Sequence, residues 1–148
     1  MLAEQDRSQE ILFGDRGGYD QFWGSVEFSI QFLVGEHREI EAVLDVFAES
    51  VTSGAIDVDA FRRVHRLCIR HYQREEAFLV RLAARDAALA AKLRGQHDEA
   101  LELAGLLEET VISGLTGDGT YLARRFLAIA QHNIIEEERD VFPFVGGA

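Results

Sequence analysis

A chain of 148 residues is long enough for one domain, and 47% hydrophobic with 28% charged residues supplies both a sizeable core and a solvated exterior. The net charge of −11, with no basic stripe to meet phosphates, excludes a nucleic-acid binder and argues against docking on an anionic membrane. The single cysteine, Cys68, excludes an intrachain disulfide, and no apolar run approaches the length of a membrane span.

Met1 to Asp6 carries no basic segment leading into an apolar stretch, so no signal peptide is expected and the cytoplasm is the expected compartment. Residues 1–20 contain Gly14, Gly17 and Gly18 and no sustained periodicity; they read as an N-terminal arm. Residues 21–148 read as one helical domain. An amphipathic pattern runs from Phe22 to about Thr52 and stops at Ser53-Gly54. Asp57 caps the next, which runs to about Arg85. Asp86 caps a third, ending near Ser113-Gly114. Gly117-Asp118-Gly119 reads as a turn, and the fourth pattern runs from Thr120 to Asp140, stopped by Pro143. Four long helices with short joins predict an all-α, antiparallel, up-down four-helix bundle.

Each helix has a seam with steps of three and four. On the first it carries Leu33, His37, Ile40 and Leu44. On the second it carries Val64, Cys68, His71, Glu75 and Phe78. The third gives Leu93, His97 and Ala100, and the fourth Leu122, Phe126, Ile129, His132 and Glu136. Four of the five histidines fall on seams, one per helix, with two glutamates. An inner glutamate is costly unless something pairs it. His71 and Glu75, and likewise His132 and Glu136, stand four apart, a chelating spacing on one helix face.

Measured from the hairpin turns at ~1.5 Å rise per residue, the four histidines agree in height to within about one turn. Four histidines and two glutamates therefore converge on one layer. Six donors exceed what one tetrahedral zinc needs. Imidazole with carboxylate suits iron, and two carboxylates can bridge two metals ~3.5–4 Å apart. A ferritin-like site uses Glu-x-x-His, and no histidine here has a glutamate three residues before it.

These residues resemble hemerythrin-like (HHE cation-binding) domains over roughly Phe22 to Phe144. The resemblance rests on Glu36-His37-Arg38, on His71 to Glu76 followed by Phe78-Leu79, on His97, and on His132 to Glu137 followed by Val141-Phe142-Pro143. It implies a four-helix bundle with two non-haem iron ions, bridged by carboxylates and often by an oxo or hydroxo species. By resemblance His37, His71, His97 and His132 are terminal ligands, and Glu75 and Glu136 the bridges. The oxygen-carrying members have a fifth histidine, four residues after the third-helix ligand; here that position is Leu101, which leaves one more coordination position to fill.

Other residues read more plainly. His65 lies on a different face from His71, and Cys68 reads as a buried inert thiol. Tyr72 and Tyr121 are candidate donors to a metal-bound ligand, and Arg125 is placed near the inner face to pair with an inner acid. Glu41, one turn after His37, is a candidate further ligand and a bystander in the family-like reading, and Glu76, Glu99, Glu108 and Glu109 are surface. The functional expectation is binding or sensing of O2, NO, a related small oxidant or iron itself. A di-iron enzyme with peroxidase-like, NO-handling or oxidase activity, and iron storage or delivery, are the alternatives. The expected partner is a small diatomic or peroxide, with no nucleic acid and no membrane.

Overall fold

A computed structural model of the chain describes residues 26–113 and 117–146. The expected arm, residues 1–20, lies outside the described residues. The elements are α1 (Val26–Ser53), α2 (Val58–Ala83), α3 (Ala87–Ser113) and α4 (Gly117–Glu136), then a π-helical turn (Glu137–Val141) and a short α5 (Phe142–Gly146). No strand occurs among the described residues. Each long helix packs on its chain neighbours, and α1 also packs on α4, which closes the up-down bundle.

The helix ends follow local chemistry. Gly54, at φ +86, supplies the left-handed residue that ends α1. The Asp57 carboxylate accepts from the backbone N–H of Ala60 at 2.9 Å and starts α2; Asp86 accepts from Leu89 at 3.0 Å and starts α3. Two ends differ from expectation. Helix α4 begins at Gly117, so the three residues read as a turn already belong to the helix. Pro143 does not stop the chain's helical course. It falls in the first turn of α5, where its missing N–H costs little.

The apolar interior forms two blocks. One gathers Leu44, Phe47, Phe61, Phe126, Ala104 and Leu107, with the three phenylalanine rings in mutual contact at 5.6–6.4 Å. The other gathers Leu33, Phe78, Leu82, Leu93, Val141 and Phe142. On every segment buried polar positions separate the two blocks. They are His37 between Leu33 and Ile40, His71 and Glu75 between Cys68 and Phe78, His97 between Leu93 and Ala100, and Asn133 and Glu137, from α4 into the π-helical turn, between Ala130 and Val141. A polar layer thus crosses the bundle with apolar packing above and below it. No helix among the described residues is long and apolar enough to cross a membrane.

Candidate metal centre

Three imidazoles and two carboxylates meet in that layer. His37, His71, Glu75 and Glu137 are buried, with one ligand atom of each lying within 4.8 Å of the others. His97 joins them, its Nε2 2.9 Å from Glu75 Oε1 and 3.1 Å from Glu137 Oε2. The carboxylates divide their oxygens in the same way. Glu75 turns Oε2 to His71 Nε2 at 3.3 Å and to His37 Nε2 at 3.9 Å, and Oε1 to His97. Glu137 turns Oε1 to His37 Nε2 at 3.0 Å and Oε2 to His97. Each therefore spans from a His37–His71 side to a His97 side.

Two further carboxylates hold the imidazoles from behind. His71 Nδ1 lies 2.8 Å from Glu36 Oε1, and Glu36 is also bound by Arg74. His37 Nδ1 lies 2.7 Å from Glu138 Oε2, which Arg38 also binds. An ionised carboxylate only accepts, so Nδ1–H must donate in both cases. With Nδ1–H held there, Nε2 is the nitrogen that gives up its proton and turns a lone pair to the centre when a cation binds. The ring of Tyr72 stacks on His97 at 4.0 Å and 10°, and Phe142 stacks on His37 at 5.7 Å and 11°. The rings are held by packing as well as by hydrogen bonds.

The electrostatics are those of a site built for positive charge. Burial favours the neutral acid, yet the His71 and His97 imidazoles hold the Glu75 carboxyl well below the usual range. Glu137 is pushed up, by burial and then by the negative charge of Glu75. Burial lowers an imidazole, but Glu75 and Glu36 outweigh it at His71, which rises to about 10. At His97 the carboxylates of Glu137 and Glu75 do the same, raising it to about 9. Both oxygens of Glu75 and Nε2 of His71 are buried without a hydrogen-bond partner. Leaving such atoms unmatched is costly. Cations between them would satisfy all three. The nitrogen and carboxylate donors suit iron, manganese or zinc.

Four of the six residues expected at the site, His37, His71, Glu75 and His97, are brought together. Two are not. The His132 side chain is 60% exposed, its Nε2 3.2 Å from Glu136 Oε1. Glu136 sits at the α3–α4 boundary, where Lys92 Nζ donates to it at 2.6 Å and Gln96 Nε2 at 2.8 Å; these contacts hold its pKa down. Glu137 takes the inner place instead. The inner stripe of α4 and the π-helical turn runs Ala123, Phe126, Ala130, Asn133, Glu137 and Val141, one residue later than a stripe drawn through Leu122 and Ile129. Ala123 and Ala130 are fully buried, and their small apolar signal is what the larger Leu122 and Ile129 overrode.

Among the remaining expectations, His65 is off the layer, stacked on Phe61 at 5.6 Å. Cys68 is buried, its thiol pushed up to about 12 by burial despite a hydrogen bond with Tyr72. Tyr121 is 60% exposed, which removes it as a donor to the centre. Arg125 is also exposed and pairs at 2.9 Å with Glu99 on the surface, not with an inner acid. Leu101 and Tyr72, with His97, line a groove between α2 and α3. Sequence reasoning missed Glu36, Glu137 and Glu138. Glu36 and Glu138 each stand beside an inner residue and opposite an arginine.

A family model described as the hemerythrin HHE cation-binding domain matches residues 29–145, most of the chain and all of the layer. No curated protein and no solved structure matches.

Proposed function

Because the chain belongs to the hemerythrin HHE cation-binding domain family, we propose that its polar layer holds two non-haem iron ions and serves to bind or sense a small oxidant such as O2 or NO. The observation that carries the reading is the division of oxygens at Glu75 and Glu137. A mononuclear site needs no carboxylate that reaches in two directions, and here both do. Iron bound there would supply the electrons that a diatomic or peroxide ligand accepts.

The chain's own residues supply the rest. Glu75 and Glu137 neutralise cationic charge in an interior that would otherwise expel it. His37, His71 and His97 would offer Nε2 to the metal, with Nδ1–H of the first two held by Glu138 and Glu36. The apolar blocks on either side, with Phe142 and Phe78 against one and Phe47 and Phe126 in the other, keep bulk water from the layer. The groove along Tyr72, His97 and Leu101 gives a small molecule a way to the His97 side. It also favours a second reading, catalytic turnover of peroxide or NO, since a substrate needs such a path.

The deciding experiment is metal identity and stoichiometry on protein purified anaerobically, with its absorption spectrum before and after air. Two irons per chain, and a spectrum that changes with air and returns on removing oxygen, are expected. Continuous consumption of peroxide or NO would favour the enzyme. A single metal per chain, or iron absent from protein grown with ample iron, would defeat the reading.

A further inference from the structure

The two hairpins of the bundle present matching sets with one exception. From α1 and α2 come His37, His71 and Glu75; from α3, α4 and the π-helical turn that follows it come His97, Asn133 and Glu137. Asn133 precedes Glu137 by four residues, as His71 precedes Glu75, and it is 1% exposed. The His37–His71 side of the layer has two imidazoles, whereas the His97 side has one.

A chain of hydrogen bonds fixes which end of the Asn133 amide is free. Lys92 Nζ donates to Glu136 Oε2 at 2.6 Å. The Glu136 carboxylate only accepts, so Gln96 must turn its NH2 toward it, and Gln96 Nε2 donates to Glu136 Oε1 at 2.8 Å. The carbonyl of Gln96 then faces Asn133, which must in turn give its NH2: Asn133 Nδ2 donates to Gln96 Oε1 at 2.8 Å. The lone pairs of Asn133 Oδ1 are what remains, and that atom is buried without a partner. Gln96 directly precedes His97, so the chain anchors Asn133 on the α3 flank, the side short of a donor.

We propose that Asn133 Oδ1 is a metal donor on the His97 side of the centre, held in place by Gln96, with His132 outside the coordination sphere. The proposal rests on the two-metal reading above. A neutral amide oxygen is a hard, weak donor, acceptable to divalent iron or manganese. It makes the two metal positions unequal. The His97 side, with one imidazole and an amide, is the weaker one, and because His97 lines the groove it is also the more accessible.

The test loads wild-type protein and the variants His132→Ala, Asn133→Leu and Asn133→Asp with Fe(II) under anaerobic conditions and counts metal per chain. Co(II) loading, read by its visible absorption, reports the donor set independently of activity. Wild type and His132→Ala are expected to hold two ions with the same Co(II) spectrum. Asn133→Leu, similar in size, is expected to hold one. Asn133→Asp is expected to hold two with a shifted Co(II) spectrum, and it serves as the readout if the leucine variant does not fold. Loss of the second ion in His132→Ala overturns the assignment whatever the Asn133 variants do. So does a folded Asn133→Leu that keeps two ions, or an Asn133→Asp whose Co(II) spectrum is unchanged. A wild type that holds a single ion defeats the two-metal reading itself, and the assignment with it.

Discussion

Nδ1 of His71 donates to Glu36 across the α1–α2 contact at 2.8 Å, and Glu36 is in turn gripped by Arg74. The carboxylate fixes the ring's tautomer, raises the basicity of the inward Nε2 and restrains rotation about the side chain. Outer partners of this kind change metal affinity by about 10–100-fold when removed. Glu36→Ala is therefore expected to weaken metal binding by about that factor while leaving the bundle's helicity intact. Competition with a chelator of known affinity measures it. An unchanged affinity would mean that His71 is positioned by packing alone.

The neighbouring glutamates of α4 separate cleanly. Glu137 is fully buried and reaches both sides of the layer; Glu136 is held at the boundary by Lys92 and Gln96. Glu137→Ala is expected to leave at most one metal per chain. Glu136→Ala is expected to keep two, with a weaker second site through the loosened Gln96. The same ranking of metal content in the opposite order would restore Glu136 as the bridge and move the inner stripe of α4 by one residue.

That reversal turns on what sequence can carry. On α1, α2 and α3 the stripe is marked by large side chains such as Leu33, Phe78 and Leu93, and His37, His71, Glu75 and His97 are buried where spacing puts them. On α4 two alanines hold the inner line, and three glutamates in a row offer three candidates. The extra residue in the π-helical turn at Glu137–Val141 then breaks the count back from Phe142 and Pro143. Glu36 and Glu138 were beyond reach for another reason. A residue adjacent to a layer residue points about 100° away from it on a straight helix, and only the neighbouring helix reveals what it meets. Their arginines, Arg74 and Arg38, were the available signal, since each lies close in sequence to a layer residue.

Cys68 is one turn before His71, yet its chemistry is set by burial. With its thiol pushed up to about 12, almost no thiolate forms at neutral pH, and it is the thiolate that reacts. Iodoacetamide is expected to leave Cys68 unmodified in the native protein and to label it fully in denaturant. Rapid labelling of the folded, metal-loaded protein would instead show a thiol opened to solvent.

The metal-free protein has a pH dependence with a definite sign. His71 at about 10 and His97 at about 9 stand above the ordinary 6.5 because burial is outweighed by Glu75, Glu36 and Glu137. A raised imidazole contributes stability that is fully present below 6.5 and is lost as pH rises through the folded value. Metal-free protein should therefore lose thermal stability from near neutral to alkaline pH. Metal ligation demands the opposite, since protons on Nε2 must leave before a cation can bind, so affinity rises over the same interval. The gap in Tm between metal-loaded and metal-free protein is expected to widen with pH. Thermal melts of both forms on a series of buffers measure it. A gap that narrows as pH rises would show that the imidazoles are not the groups that protons and metal compete for.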